Sequence, residues 1–427
     1  MSTNYLSTEH VVIIGAGQAA IQTADSLRAE GFDGRISIFG DEVALPYQRP
    51  QLSKDLLKQD DDAVLPLRPE SFFASHNIEL HRGRRIVSVD IVARTVTADN
   101  GEQISYTQLV FATGSRARQL NVPGSGHPQV RQVRTVEQAL QLRTDVQAGT
   151  NVVIVGGGFI GLEIAAQAST TGANVTLLPG KRSLMSRSVS PAMSAWFEDF
   201  HRNLGTDIRC GETAVAFTED PAGNLTVEST AGATYDADIV VVGIGSEPNV
   251  ELARDAGLKT GNGIEVNAYL QVSQHHMWAL GDCASFPLAD GDEHVRLESI
   301  QNATDQGKLL ARNLMAEMHG HPLEHYEEVP WFWSYQANAR LQIAGRREDT
   351  ADTAITLGDP ESGKFSILLF NRDGHLRTVE SLNSPAVHMA ARKILNCPFP
   401  LTIEDAQVPD FCLKAASKKL TQLVPAA

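Results

Sequence analysis

Two glycine-rich runs in this chain have the spacing of a phosphate-binding turn. Residues 15–20 read G-A-G-Q-A-A and match G-x-G-x-x-A, while residues 156–161 read G-G-G-F-I-G and match G-x-G-x-x-G. The first glycine allows a tight turn, the second lets the backbone approach a pyrophosphate, and the small third residue lets helix and strand pack closely. The N–H groups that open the following helix then bind the phosphates. Two such runs predict two bound dinucleotides.

Each run lies between an apolar strand and a helix. Residues 11–14 and 151–155 are rich in valine and isoleucine, which is typical of buried parallel strands. A glycine, Gly31 or Gly172, ends each helix. The expected helices and second strands are residues 21–30 and 35–39 in the first copy, and 162–171 and 174–178 in the second. The sequence therefore predicts two βαβ units of the Rossmann type.

The two copies differ just past the second strand. Asp41 stands there in the first copy, where an acid can accept a hydrogen bond from a ribose 2′-OH. Pro179 stands in the second copy and no acid follows it. Basic residues follow instead and could hold the 2′-phosphate of NADP: Lys181, Arg182 and Arg187. This pattern predicts that NADPH is used alongside NADH; the alternative is a solvated basic loop.

Composition limits the class of protein. The chain has 427 residues, which predicts two to four domains, and 36 basic against 51 acidic residues give a net charge of −15. That charge disfavours nucleic acid as a partner. The apolar stretches are too short for a membrane helix, the N-terminus lacks the apolar core of a signal peptide, and residues 60–62 predict a solvated acidic loop.

The cysteines point to a reducing compartment. Cys210, Cys283, Cys397 and Cys412 stand far apart and form no C-x-x-C pair, so neither a zinc site nor a redox dithiol is expected. We expect no metal site and a cytoplasmic protein.

A segment after the first βαβ unit resembles a known family. Residues 45–54 read L-P-Y-Q-R-P-Q-L-S-K, which looks like the L-P-Y-x-R-P-P-L-S-K segment of the FAD-dependent, oxygenase-coupled NAD(P)H ferredoxin reductases. These putidaredoxin reductase-like proteins belong to the glutathione-reductase-like flavoproteins with two dinucleotide domains. Gln51 replaces the second proline of the segment. The disulfide-reducing members carry a cysteine pair in this region, whereas residues 41–62 contain no cysteine.

Further matches extend the resemblance over roughly residues 10–345. They are F-A-T-G-S at 111–115, R-T at 134–135, G-I-G-S-E-P-N at 243–249, G-D-C-A at 281–284, R-L-E-S-I-Q-N-A at 296–303 and P-W-F-W-S at 330–334. The resemblance implies an α/β fold with two Rossmann-like domains, for FAD and NAD(P), and a C-terminal α+β domain over the flavin. The implied boundaries are 1–115 and 249–328 for the FAD domain, 116–248 for the NAD(P) domain and 329–427 for the C-terminal domain. Residues 365–370 and 377–382 are expected strands of the last domain.

The resemblance also implies which residues bind the cofactors. The expected FAD contacts are Gly15, Gly17, Ala19, Ala20, Asp41, Arg49, Lys54, Ile86, Ala112, Thr113, Gly114, Arg134, Asp282, Ile300 and Trp333. The expected NAD(P) contacts are Gly156, Gly158, Phe159, Ile160, Gly161, Lys181, Arg182, Arg187 and Gly245. Asp282 would bind the ribityl chain or cap a helix, and Arg49 and Arg134 would contact FAD or form salt bridges.

Three residues are the candidates for the chemistry itself. In the family, a lysine in the position of Lys54 lies near the flavin N5, a glutamate in that of Glu163 faces the nicotinamide and can pair with the lysine, and a tryptophan in that of Trp333 lies beside the flavin. Lys54 could instead be solvated, Trp333 could simply fill the core, and Glu163, expected in the first turn of its helix, could complement the helix dipole. Trp331 and Trp333 alternate around Phe332 and should share one face of a strand.

The implied function is electron transfer from NADH, and possibly NADPH, through FAD to a [2Fe–2S] ferredoxin that feeds a Rieske dioxygenase or a cytochrome P450. Two alternatives are a rubredoxin reductase or NAD(P)H oxidase of this fold, and a redox-sensing nucleotide binder like apoptosis-inducing factor. The chain would be a monomer or a weak homodimer. An acidic ferredoxin would need a local basic patch; the candidates are Lys308, Arg312, Arg340, Arg346 and Arg347, which could equally be solvated.

Overall fold

The structure, a computed structural model, describes residues 8–58, 64–288, 293–347 and 353–423. The predicted acidic loop at residues 60–62 lies outside these ranges. The chain forms two compact units. The first comprises Met1–Gln48, Val64–Arg116 and Ser246–Glu328, and the second comprises Arg49–Ala63, Ala117–Gly245 and Val329–Ala427. The domain boundaries inferred from the sequence stay predictions.

The N-terminal segment forms most of the first unit. Its elements are β1 (His10–Ile14), α1 (Gln18–Ala29), β2 (Arg35–Gly40), α2 (Glu70–Ser75), β3 (Ile78–Arg82), β4 (Ile86–Asp90), β5 (Thr95–Ala98), β6 (Gln103–Ser105), β7 (Gln108–Phe111) and β8 (Ser115–Ala117). Two short 3-10 turns, Arg49–Ser53 and Asp55–Leu57, belong to the second unit. Strands β4, β5 and β6 form a small antiparallel sheet.

The middle segment holds the Rossmann-like part of the second unit. Its elements are β9 (Val130–Arg131), α3 (Val136–Asp145), β10 (Asn151–Val155), α4 (Phe159–Thr171), β11 (Asn174–Leu178), α5 (Pro191–Asn203), β12 (Asp207–Ile208), β13 (Ala214–Glu219), β14 (Leu225–Ser229), β15 (Thr234–Ala237) and β16 (Ile239–Val242). The parallel sheet has the order β12–β11–β10–β16–β9, and β13–β15 form an antiparallel sheet. Strands β10 and β11 have the bounds that the sequence predicts. Their valine, isoleucine and leucine side chains are buried, as a parallel sheet covered on both faces requires.

The chain then returns to the first unit. The elements are β17 (Ser246–Pro248), α6 (Glu251–Asp255), β18 (Thr260–Gly261), β19 (Gly263–Glu265), β20 (Met277–Ala279), β21 (Ala284–Pro287), β22 (His294–Val295) and α7 (Ile300–His319). Strand β20 completes a parallel sheet of order β20–β7–β1–β2–β3. Helix α7 packs on α1, where Gly307 allows close approach because an added Cβ would lie 3.0 Å from the Gln22 Cβ.

The C-terminal segment completes the second unit. Its elements are β23 (Trp331–Gln336), β24 (Ala339–Gly345), β25 (Thr353–Asp359), β26 (Lys364–Phe370), β27 (Leu376–Leu382), α8 (Pro385–Leu395), α9 (Ile403–Ala406) and α10 (Leu413–Gln422). The sheet is antiparallel, of order β23–β24–β27–β26–β25, and it includes both strands predicted here. Across the described ranges, no helix has both the length and the hydropathy to cross a membrane.

Candidate functional site

The first glycine-rich turn connects β1 to α1 at the carboxyl edge of its sheet. Gly15 has a φ of +110°, and a Cβ there would lie 2.0 Å from the Ala112 carbonyl oxygen, so only glycine fits. A Cβ on Gly17, in contrast, would meet no protein atom within 4 Å. Ala19 and Ala20 are buried where α1 packs on the sheet. The turn therefore leaves open space at the second glycine, which is where a pyrophosphate would approach the backbone.

The second turn, between β10 and α4, repeats this stereochemistry. Gly156 has a φ of +119°, and its Cβ would lie 2.2 Å from the Gly243 carbonyl oxygen. A Cβ on Gly161 would lie 2.3 Å from the Gly156 carbonyl oxygen, whereas one on Gly158 would meet no protein atom within 4 Å. The third glycine is thus required for helix–strand packing, and the second again faces open space.

Both nucleotide helices begin without a side-chain cap. Gly17 and Gly158 occupy the N-cap positions of α1 and α4, and neither offers a side chain to the first N–H groups. Helices α5 and α7 are capped by the hydroxyls of Ser190 and Ser299. Unsatisfied N–H groups and the positive end of the helix dipole suit a bound phosphate. The residues present therefore fit a dinucleotide at each turn.

The other FAD candidates of the first unit lie around the same edge of its sheet. Thr113 follows β7 and exchanges hydrogen bonds with Asn249 of 2.6 and 2.8 Å, and Gly114 has a φ of +66°. Asp282 follows β20 and accepts a 3.1 Å hydrogen bond from the Ser115 hydroxyl. Ligands of such sheets bind outside the carboxyl ends of the strands. The fold thus gathers Gly15, Thr113 and Asp282 at the edge where a ligand would bind.

Two acidic residues of this region, Asp282 and Asp41, agree to different degrees with the roles predicted for them. Leu280, not Asp282, is the N-cap of the 3-10 turn Gly281–Cys283, so the helix-cap alternative for Asp282 is wrong. Asp41 directly follows β2, as expected, and its carboxylate lies 3.2 Å from the Arg85 guanidinium with 60% of the side chain exposed. A carboxylate this exposed can exchange the arginine for a ribose hydroxyl at little cost.

Two isoleucines were also expected to contact FAD. Ile86 is buried at the start of β4, and Ile300 is the first residue of α7.

Two arginines expected at FAD lie together in the second unit. The Arg49 guanidinium donates a 2.6 Å hydrogen bond to the Arg134 carbonyl oxygen. This contact joins the L-P-Y-Q-R-P segment to the R-T pair, which precedes α3. Thr135 caps α3 in a capping box with Gln138, so the backbone that carries Arg134 is fixed.

A charged pair is buried beside α4. Lys54 Nζ lies 2.7 Å from Glu163 Oε2, and the glutamate is only 4% exposed. Ser53 Oγ donates to the same oxygen at 2.5 Å, and Ser334 Oγ donates to Oε1 at 2.6 Å. A buried carboxylate requires such donors because it has lost its hydration. The pairing of lysine with glutamate that the resemblance implies is therefore present.

The expected position of Glu163 within its helix was wrong. Helix α4 begins at Phe159 and has no acid in its first turn, so Glu163 lies in the second turn. Because the dipole effect is confined to the first turn, it does not explain this residue. Ser53 and Ser334 lie in two of the family-like segments, at 45–54 and 330–334, but nothing in the sequence predicted that their hydroxyls bind Glu163.

The tryptophans of β23 share a face, as the strand alternation predicts. The Trp331 and Trp333 rings have centroids 5.4 Å apart, and Phe332 packs on Phe159 at the start of α4 with centroids 4.5 Å apart. Trp331, Phe332 and Trp333 are all half-buried. Strand β23 thus presents aromatic rings next to the second nucleotide turn.

The basic residues that follow β11 are exposed. Within the described ranges, the side chains of Lys181, Arg182 and Arg187 have no ion-pair or hydrogen-bond partner. Ile160, in the first turn of α4, is 47% exposed despite its apolar side chain. Gly245 has a φ of +105° and no atom within 4 Å of a Cβ position. These residues are all available to a ligand of the second turn.

The basic residues expected to bind a ferredoxin are divided between the two units. Lys308 and Arg312 lie on α7 in the first unit, and Arg312 pairs with Glu324 at 2.9 Å. Arg347, in the second unit, donates hydrogen bonds to the carbonyl oxygens of Ser186 and Val189, so its guanidinium already binds groups of this chain.

In the described part of the chain, no three histidine, cysteine or acidic side chains cluster as metal ligands.

Known proteins are similar to most of this chain. Residues 9–307 match the profile of the pyridine nucleotide-disulphide oxidoreductases, and residues 331–417 match the reductase C-terminal domain. The chain belongs to the pyridine nucleotide-disulphide oxidoreductase family. As in the resemblance drawn from the motifs, this family member has two dinucleotide domains and a C-terminal α+β domain, so the predicted fold class is confirmed.

Several relatives of this family member are reductases. Rhodocoxin reductase of Rhodococcus erythropolis is 43% identical over 409 residues, which cover 95% of this chain and 94% of that protein. The ferredoxin reductase for the CYP199A2 system from Rhodopseudomonas palustris is 39% identical, with a TM-score of 0.90 over 96% of this chain and 100% of that one. Putidaredoxin reductase, in its covalent complex with putidaredoxin, is 33% identical, with a TM-score of 0.90 over 96% of this chain and 99% of that one. The chain is thus a flavoprotein oxidoreductase that uses FAD and a nicotinamide nucleotide, as predicted.

Proposed function

We propose that this protein is a ferredoxin–NAD(P)+ reductase. It would pass electrons from NAD(P)H through FAD to a [2Fe–2S] ferredoxin that feeds an oxygenase, either a Rieske dioxygenase or a cytochrome P450. The main support is similarity over nearly the full length, C-terminal domain included, to reductases whose names specify a ferredoxin or a ferredoxin-dependent system.

The cysteines separate this function from disulfide reduction. Cys210, Cys283, Cys397 and Cys412 are all free, and Cys283 is fully buried. A disulfide reductase needs a pair of cysteines that relays electrons, and this chain offers no such pair. Free cysteines are also typical of a reducing compartment, so we further propose a cytoplasmic location.

The residues divide the work between two nucleotides. We propose that the turn at Gly15 and Gly17 holds the FAD pyrophosphate, with Asp41 at a ribose and Asp282 at the ribityl chain. The turn at Gly156 and Gly158 holds NAD(P)H. The FAD held at the first turn would supply the exchange between a two-electron hydride donor and a one-electron ferredoxin.

The protein contributes charge and position to this chemistry. Lys54, with its buried partner Glu163, would occupy the family position in which a lysine stabilises negative charge on reduced flavin. The two groups lie 2.7 Å apart, and Glu163 also accepts hydrogen bonds from Ser53 and from Ser334 of β23. Trp333 would shield the flavin on its ferredoxin side. No general acid or base is required, since hydride and electrons are the transferred species.

Rapid mixing under controlled oxygen tests this function. The holoenzyme is reduced with one equivalent of NADH and mixed with either a [2Fe–2S] ferredoxin or air-saturated buffer. We expect reoxidation by ferredoxin to be much faster than by oxygen. Equal rates would indicate an oxidase, and a very slow reduction by NADH with a long-lived charge-transfer band would indicate a redox sensor.

A further inference from the structure

A buried row of hydrogen-bonded side chains leads away from the Lys54–Glu163 pair. Ser334 Oγ donates to Glu163 Oε1 at 2.6 Å, and Gln336 Nε2 donates to Ser334 Oγ at 3.2 Å. His201 Nε2 lies 2.7 Å from Gln336 Oε1. Glu163 is 4% exposed, and the other three members, Ser334, Gln336 and His201, are at 0%. The row lies within the second unit and joins α4, β23 and α5.

The ionised glutamate fixes the direction of every hydrogen bond in this row. A carboxylate only accepts, so the Ser334 hydroxyl must donate to it. The Ser334 oxygen is then free to accept, and Gln336 must present its amide N–H there and its oxygen to His201. His201 must therefore carry its proton on Nε2. Each donor dipole points toward Glu163, and aligned dipoles strengthen one another in a buried site.

His201 takes part in this row as a neutral group. Burial lowers the pKa of its imidazole, and the bond to Gln336 opposes that shift only in part. Its Nδ1 has no hydrogen-bond partner in the described part of the chain. A neutral ring with the proton on Nε2 satisfies both observations, because the ring then donates to Gln336 without burying a second charge.

The two carboxylate oxygens of Glu163 are held differently. Oε2 accepts from both Ser53 and Lys54, whereas Oε1 accepts from Ser334. Loss of the Ser334 hydroxyl would remove the hydrogen bond that holds Oε1, so the carboxylate could turn about its last side-chain bond while Oε2 still accepts from Ser53 and Lys54. The direction from which Lys54 is held would then no longer be fixed.

We propose that Ser334 is a positioning residue for the Lys54–Glu163 pair, with Gln336 and His201 orienting its hydroxyl. The C-terminal domain, through β23, would thereby determine the geometry of the charged pair that assists flavin reduction. The link to flavin reduction rests on the proposed function, whereas the hydrogen-bonded row is observed directly. The rate of a catalysed step falls when a charged group near the reacting atoms is displaced by a small distance. Loss of the Ser334 hydroxyl can therefore slow flavin reduction although the hydroxyl contacts no substrate.

The test compares serine variants of the holoenzyme in anaerobic single-turnover reduction by NADH. We expect Ser334→Ala to slow flavin reduction by about 10-fold, and to change the dissociation constant of NADH by less than about 2-fold. Ser334→Thr retains the hydroxyl and should restore the rate. Gln336→Leu should have a smaller effect of the same sign and gives a second test if Ser334→Ala fails to fold. Ser366→Ala is the matched control, since Ser366 is a buried serine of the same sheet whose hydroxyl donates to Ser381.

A double-mutant cycle and a spectrum show whether Ser334 acts through Glu163. In a Glu163→Gln background, Ser334→Ala should have little further effect on the rate. The absorption spectrum of the oxidised flavin, recorded without substrate, should shift in Ser334→Ala and in Glu163→Gln but not in Ser366→Ala. Full additivity of the two changes, or equal effects of Ser334→Ala and Ser366→Ala, would overturn the proposal. Normal flavin reduction without ferredoxin reduction would instead reject only the proposed function.

Discussion

The two glycine-rich turns have the same backbone and different surroundings. In both turns, the first glycine has a positive φ and lies against the carbonyl oxygen of a residue that follows the adjacent parallel strand. The second glycine of each turn faces open space. Past the second strand, the first copy continues to Asp41 and the second to Pro179 and the three exposed basic side chains. Of the two nucleotide helices, it is α4 that carries a buried ion pair. Phosphate binding is thus a property of the shared turn, whereas the choice of nucleotide and the chemistry depend on the residues beyond the turn.

The largest effect should come from filling the open space at each second glycine. Gly17 and Gly158 have extended backbones, φ −83° and −87°, which valine tolerates. Gly17→Val should yield folded protein that has lost FAD. Gly158→Val should retain FAD and lose use of NADH by roughly 1000-fold in kcat/KM, ~4 kcal/mol. Flavin absorbance after purification and steady-state kinetics measure both. Loss of FAD from Gly158→Val would reverse the assignment of the two turns.

The next effect concerns the ion pair on the second nucleotide helix. Lys54→Met leaves Glu163 buried without its cation, which should cost about 3 kcal/mol of the free energy of unfolding. The matched control is Lys58→Met, because Lys58 pairs with Asp55 at 2.6 Å on an exposed surface. That change should cost less than about 1 kcal/mol. Thermal denaturation of both variants measures these losses of stability. Equal losses would show that the buried pair contributes no more to stability than the exposed pair.

The basic residues after β11 provide a test of nucleotide choice. Replacing Arg182 and Lys181 by alanine should lower kcat/KM for NADPH by about 10-fold, ~1.4 kcal/mol, and leave NADH nearly unchanged. Pro179→Asp, which imitates Asp41 of the first copy, should shift preference further toward NADH. Kinetics with both nucleotides measure these ratios. If the unmodified protein already prefers NADH by roughly 1000-fold, the prediction of dual use is wrong.

The smallest effect is expected at the outer edge of the first parallel sheet, away from both turns. Arg35 of β2 pairs with Glu79 of β3 at 2.7 Å, and the hydrogen bond from Arg35 lowers the pKa of Glu79 from 4.5 to about 2. Because the folded pKa lies below the unfolded one, the stabilisation is complete above pH 4.5 and is lost as the pH falls toward 2. Glu79→Gln should therefore cost less than about 1 kcal/mol at neutral pH. The difference should vanish at low pH in denaturant titrations, and a difference independent of pH would assign it to packing.

Strands and turns were predicted well because their signals are local. Strands β10 and β11 have the predicted bounds, and both glycine-rich turns precede helices as expected. Small errors arose at helix ends: α4 begins at Phe159 rather than at Leu162, which moved Glu163 out of the first turn. The first two residues of that helix, Phe159 and Ile160, are apolar. An apolar sequence gives no signal for the residue that directly follows the N-cap.

The sequence by itself determined the two nucleotide turns, the motifs of the family and the pairing of Lys54 with Glu163 that the resemblance implied. Each depends on a short run of residues whose backbone conformation or chemistry is restricted. Only the tertiary structure decided that Ser334 would hold Glu163 from 171 positions away, and that Gln336 and His201 would complete the row. Contacts between such distant residues depend on how sheets and helices pack. Single serine, glutamine or histidine residues follow no spacing pattern from which these contacts could be predicted.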